Sequence, residues 1–152
     1  MKIEKPADTD ALFHLLNNLE EKNEWIFRGH ENLNWPLQTS FERMFDETGK
    51  DYLEAQEMEI ALIKKFQREA HYYGIPSFDY LNIPEWLSIM QHYGAPTRLL
   101  DWTHSPWVGA FFAIIDKKAS DKNDAALLAL NWKRLDSVTG KKFRIYFTLI
   151  II

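Results

Sequence analysis

Two segments set chemically capable side chains among apolar ones. The first is Trp25-Ile26-Phe27-Arg28-Gly29-His30. On a strand, Arg28 shares a face with Ile26, while Trp25 and Phe27 share the other. With both faces covered, the guanidinium is desolvated and must find an anion, since an unpaired buried charge costs several kcal/mol. At a sheet edge it would instead stand in water. The second segment runs Gln91-His92-Tyr93-Gly94-Ala95-Pro96-Thr97-Arg98-Leu99-Leu100-Asp101-Trp102-Thr103. It gathers an amide, an imidazole, a phenol, a guanidinium, a carboxylate and two hydroxyls. A helix opening at Ser105-Pro106 would add free backbone donors and a positive dipole end. With Arg28 or Arg98 nearby, that arrangement could hold a phosphate or carboxylate. The plainer alternative is that Arg98 and Asp101, three residues apart, pair with each other. The candidate ligand-binding residues are therefore Arg28 and His30 from the first segment, with Gln91, His92, Tyr93, Thr97, Arg98, Asp101, Trp102 and Thr103 from the second.

Other chemistries fail on residue type or spacing. There are no cysteines, which removes disulfides, thiolate nucleophiles and cysteine-ligated zinc. The six glycines, at 29, 49, 74, 94, 109 and 140, never cluster into a phosphate loop. The five histidines show no HExxH and no close pair at ligand spacing, so no metal is expected. No Gly-x-Ser-x-Gly context supports a serine nucleophile. A net charge of -4 argues against a broad phosphate-binding surface, and nucleic acid is an unfavoured partner. The start MKIEKPADTD lacks the apolar core of a secretory signal, and no apolar run reaches about 18 residues. The expected location is the cytoplasm, with no membrane partner.

The elements that must position these residues follow from patterning. Residues 8–23 predict a helix capped by Asp8 or Thr9, with Leu12, Leu15, Leu16 and Leu19 on one face. Residues 25–30 predict a strand and 31–38 a loop; a short helix over 41–45 would take Ser40 as its cap. Residues 51–73 predict a long amphipathic helix burying Tyr52, Ala55, Met58, Leu62, Phe66, Ala70 and Tyr73. Tyr73-Gly74-Ile75-Pro76 ends it, and Tyr93-Gly94-Ala95-Pro96 ends a helix beginning near Pro84, as two uses of one stop. Thr97 to Trp102 reads as extended. The helix from Ser105 and Pro106 is apolar nearly all round, which predicts burial. Strands are expected over 125–131 and 143–152. The fold class is α+β, a small mixed or antiparallel sheet flanked by several helices. The final Thr148 to Ile152 reads either as a last core strand or as the cut end of a longer chain.

Phe27-Arg28-Gly29, together with the block from Gln91 to Thr103 and the following Ser105-Pro106 and Ala110-x-Phe112-Ala113, resembles the FRG domain, a family named for that tripeptide. The resemblance spans about residues 20–131 and implies an intracellular, mainly bacterial or phage domain. Taken as one domain over 1–152, the chain stops before the point where members usually end. A more distant resemblance, to ADP-ribosyltransferases, implies that Arg28 holds NAD phosphate and that Trp102-Thr103, with Ala110 and Phe112, forms the following strand and helix. Those enzymes use a catalytic glutamate on a late strand. This chain has none after Glu85, which leaves Asp116, Asp124 or Asp136 for the role. The resemblances imply a pocket for a nucleotide-like or phosphorylated ligand, NAD among them. The alternative is a non-enzymatic protein-interaction or regulatory module, for example in conflict between bacteria and phage.

Overall fold

The computed structural model describes residues 2–49, 51–75, 79–118, 120–133 and 147–151. In chain order these form β1 (Lys2–Glu4), α1 (Thr9–Lys22), β2 (Trp25–His30), α2 (Ser40–Asp46), α3 (Tyr52–Glu69), a single 3₁₀ turn (Ala70–Tyr73), α4 (Ile83–His92), α5 (Pro106–Ile114), β3 (Ala126–Asn131) and β4 (Phe147–Ile151). The fold is α+β with a mixed sheet, as the patterning leads one to expect. No helix among the described residues is long and apolar enough to cross a membrane. The chain divides into two compact units, residues 1–36 with 101–152 and residues 37–100.

The first unit holds the sheet, in the order β1-β4-β3-β2. β1 runs parallel to β4; the other pairs are antiparallel. Register sets Phe27 opposite Ala129 and Gly29 opposite Leu127, with Leu127 opposite Ile150 on β4. These residues share one face, and α1 and α5 pack on it. Leu16, Leu19, Phe27, Ala110, Leu127 and Ile150 form its core, each large apolar side chain contributing about 1.5–3 kcal/mol by leaving water. Asp8 caps α1 by accepting the Ala11 N–H at 2.8 Å. Asn23, in the left-handed region, turns the chain out of α1 into β2. β2 is an edge strand, and its outer side carries one antiparallel bridge to Thr103, with N···O distances of 2.7 and 2.9 Å. The rest of the 97–102 segment, expected to be extended, is irregular.

α5 corrects the expectation of all-round burial. Pro106, Gly109, Ala110 and Ala113 are buried, whereas Val108, Phe111, Phe112 and Ile114 are 43–58% exposed. The small side chains face the sheet and let the helix backbone approach β2 closely. The large ones consequently point away. Ser105 stands at the N-cap position, but its hydroxyl donates to the Glu20 carboxylate at 3.1 Å and does not cap the helix.

The second unit is helical among its described residues. α2 is capped by Thr39, not by Ser40 as the sequence suggests, because Glu42 lies three residues beyond Thr39 and completes a reciprocal capping box. The Glu42 carboxylate accepts the Thr39 N–H at 2.7 Å and its hydroxyl at 2.8 Å. Those bonds hold the Glu42 pKa below its ordinary value of 4.5. A lowered folded pKa gives stability that is present above the unfolded pKa and lost as pH falls through the folded one. Glu42→Gln should therefore lower stability by under about 1 kcal/mol at pH 7 and by progressively less as pH falls below the ordinary carboxylate range, to near pH 3. Urea titrations of both proteins at the two pH values check this.

The predicted 51–73 helix resolves into α3 and the 3₁₀ turn. Ala55, Ile63 and Ala70 are buried, but Tyr52 and Tyr73, expected inside, are 65% and 71% exposed. Trp86 and Met90 of α4 are each 2% exposed, and Trp86 packs with Ala70 and Ile75. Pro84 occupies the first turn of α4, as expected. Of the expected final strand, residues 143–146 and 152 lie outside the described residues, as does Asp136.

A candidate ligand cavity at Arg28

β2 presents each residue of the Phe27-Arg28-Gly29 tripeptide to a different task. Phe27 is 1% exposed and enters the core. Gly29 meets α5: a Cβ there would lie 2.3 Å from the Gly109 carbonyl oxygen and 2.4 Å from the Ala113 nitrogen. Arg28 is partly buried, and its Nη1 donates to the Asp101 carbonyl at 3.0 Å. That bond and the Phe27–Thr103 bridge tie residues 101–103 against the edge of β2.

A cavity of about 370 Å³ opens there. Arg28 and Gly29 of β2, with Asp101, Trp102 and Thr103, form one side. Gly109 and Phe112 of α5, then Ile115 and Asp116, form another, and Glu31 contributes a further carboxylate. The wall of this cavity follows the body of α5 and its C-terminal end. Arg28 thus shares the cavity with three acidic residues, Glu31, Asp101 and Asp116, and the nearer helix end carries the negative end of the dipole. Such a site suits a ligand with limited negative charge, hydroxyl donors and a flat ring. Lys117 secures the Glu31 side, donating to the Glu31 carbonyl at 3.1 Å and also to that of Asn123.

The structure gathers Arg28, Asp101, Trp102 and Thr103 of the ten candidate residues. The Thr103 hydroxyl also accepts the Ser105 N–H at 3.2 Å, shaping the entry to α5. His30 is 7% exposed, with its ring 6.3 Å from that of Trp35, and does not line the cavity among the described residues. The other five belong to the second unit. Thr97 is fully buried and donates to the Gln91 side chain at 2.6 Å. Arg98 pairs with Glu59 at 2.7 Å and lies over the Phe41 ring, so its partner is not the nearby Asp101 that the spacing suggests. Burial would lower the Arg98 pKa, but the hydrogen bond that Arg98 donates to Tyr52, with the charge of Glu59 and the hydrogen bond donated to Glu59, outweighs burial and raises the value, which keeps the guanidinium charged. His92 is exposed beside Tyr93, and Tyr93 lines a different cavity.

Sequence reasoning misses Glu31, Gly109 and Ile115 as wall residues. Glu31 follows the strand directly, and its place at a sheet edge is the one signal that could have found it. Asp116 is anticipated only as a replacement carboxylate. Asp124, named beside it, sits 3.4 Å from Lys5. Against known families, the FRG domain matches residues 23–122. The chain belongs to the FRG domain family. No curated protein and no solved structure matches the chain.

Proposed function

We propose that the cavity at Arg28 binds a nucleotide-like ligand. One observation carries the reading: Arg28, Trp102 and Thr103, from segments 73 residues apart at the Arg28–Asp101 bond, line the same hollow. Arg28 meets anionic oxygen, Trp102 stacks a heteroaromatic ring, and the carboxylates accept from ribose hydroxyls. Three carboxylates on the wall disfavour inorganic phosphate, so a nucleotide or dinucleotide such as NAD is the better fit. If the site transfers ADP-ribose, Asp116 or Glu31 is the carboxylate available to it.

Calorimetric titration with NAD and ADP-ribose tests the reading. Arg28→Ala should weaken binding at least about tenfold, since a hydrogen bond to a charged group contributes about 1.5–3 kcal/mol. It should leave the protein folded, destabilised by about 1–2 kcal/mol through the lost Asp101 carbonyl bond. No heat from either ligand with the unaltered protein overturns the proposal.

A second reading, a protein-interaction module, draws on the exposed apolar side of α5. Under it Arg28 serves only to anchor residues 101–103. Neither ligand then binds, Arg28→Ala lowers the melting temperature, and Phe111→Ser leaves it unchanged because that ring is already half in water.

A further inference from the structure

The second unit terminates two helices by one device. Gly74 and Gly94 have φ of 69° and 79°, in the region that favours glycine. The Gly74 N–H bonds the His71 carbonyl at 3.3 Å, and the Ile75 N–H bonds that of Ala70 at 3.2 Å. At the end of α4, Gly94 bonds Gln91 and Ala95 bonds Met90, both at 2.9 Å. Each set is the paired bonding of a Schellman cap. A tyrosine precedes each glycine, so each cap projects a phenol ring.

The two caps meet around one cavity of about 370 Å³. Tyr73 and Ile75 from one end and Tyr93 and Ala95 from the other line it, with Phe66 and Glu69 from α3. The Phe66 and Tyr93 rings pack against each other, with centroids 6.3 Å apart at an interplanar angle of 51°, so they form one continuous side of the hollow. Tyr73 and Tyr93 are 71% and 57% exposed, a large aromatic surface left in water.

Three sources of negative potential converge there. Two helix C-termini bring the negative ends of their dipoles. Three aromatic rings offer electron-rich faces. Glu69 is the only side chain on the wall that carries a charge at neutral pH, and no ion pair to it occurs among the described residues. A primary ammonium is a compact, strongly hydrated charge with three donors, and Glu69 offers it one charged acceptor, beside two phenol oxygens and the helix-end carbonyls. A quaternary ammonium donates no hydrogen bond and is held by ring faces and diffuse negative charge. We propose that this hollow binds the alkylated ammonium head of a small soluble compound. The proposal is independent of the Arg28 cavity.

Choline provides the probe, and 3,3-dimethylbutan-1-ol, its uncharged isostere, provides the control. In amide NMR titrations of the full chain, choline should give saturable shifts at Gly94 and Ala95 with a Kd on the order of 1 mM. The neutral isostere should bind at least about fivefold more weakly, and ethanolamine likewise. Tyr93→Leu and Tyr73→Leu should each weaken choline binding about three- to tenfold, and Glu69→Gln about threefold. These three side chains are largely in solvent, so the fold survives each change, and an unchanged melting curve verifies it. Absence of saturation at concentrations on the order of 50 mM overturns the proposal. So does equal binding of the neutral isostere, which would make the hollow merely apolar, or tighter binding of ethanolamine.

Discussion

Gly29→Ala should destabilise the protein by at least about 3 kcal/mol, at or beyond the upper end for overpacked sites. The added methyl would meet the Gly109 carbonyl oxygen at 2.3 Å, the Ala113 nitrogen at 2.4 Å and the Phe112 carbonyl carbon at 2.9 Å. All three are backbone atoms of α5, so no side-chain rotation relieves the contact. The helix has to retreat from β2, pulling Ala110 away from Phe27 and Leu127 in the core. Gly109→Ala is milder, because its nearest neighbour is the Leu127 Cδ1 tip at 2.6 Å, which can turn; the next is the Phe27 Cβ at 2.9 Å. Gly49→Ala supplies the control. That glycine has φ of 65° and an added methyl would find nothing within 4 Å, so only backbone strain of about 1–2 kcal/mol applies. Urea unfolding of the three variants ranks them. A Gly29→Ala protein within about 1 kcal/mol of the parent would mean that α5 is not held against β2 as described.

Trp86→Ala should cost about 3–5 kcal/mol in the second unit. Trp86 is 2% exposed, its ring lies edge-on to Phe66 at 6.3 Å and stacked with Tyr80 at 6.2 Å, and its Nε1 donates to the Asp79 carbonyl at 3.0 Å. Truncation removes the ring from the centre of that core and takes one of two donors from the Asp79 carbonyl, which keeps the Asn82 N–H at 3.0 Å. Trp86→Phe keeps most of the volume and loses chiefly the hydrogen bond, so about 1–2 kcal/mol is expected. Far-UV circular dichroism against urea is the suitable readout, since the chain has six tryptophans and fluorescence would mix their signals. A loss below about 1.5 kcal/mol for the alanine variant would show that this core tolerates the void.

What the residues reveal by themselves is local. Helix starts and stops depend on a few neighbours, which is why Asp8, Pro84 and both tyrosine–glycine stops can be placed from the chain alone. The Ser40 cap fails because two adjacent hydroxyls compete, and the partner three residues on from Thr39 decides between them. The α5 error comes from counting apolar residues without weighing their size. Gly109, Ala110 and Ala113 define the packed side, and their small volume outranks the hydrophobicity of Phe111 and Phe112. The candidate site is half legible. Residues 101–103 and Arg28 do line one cavity, but Thr97, Gln91 and Arg98 serve the second unit. The partners of Thr97 and Arg98, which are Ser40, Phe41 and Glu59, stand well outside the local segment, beyond the reach of spacing arguments. Of the acidic residues of the Arg28 cavity, Asp101 and Asp116 are named from the sequence and Glu31 is not, since a lone acidic residue after a strand looks like a solvated end.

The antiparallel pairing of β2 with β3 bears on synthesis of the chain. Residues 31–125 must be made between the two strands, which at about 5–20 residues per second takes roughly 5–20 s. Throughout that interval Trp25, Ile26 and Phe27 lack their ladder partner, and until residues 106–114 are made they lack α5 as well. The 37–100 unit is complete before β3 is made and can collect its own core meanwhile. A nascent polypeptide of this design therefore carries an aromatic strand without its ladder partner while residues 31–125 are made, and a chaperone that masks such strands should raise the yield of folded protein.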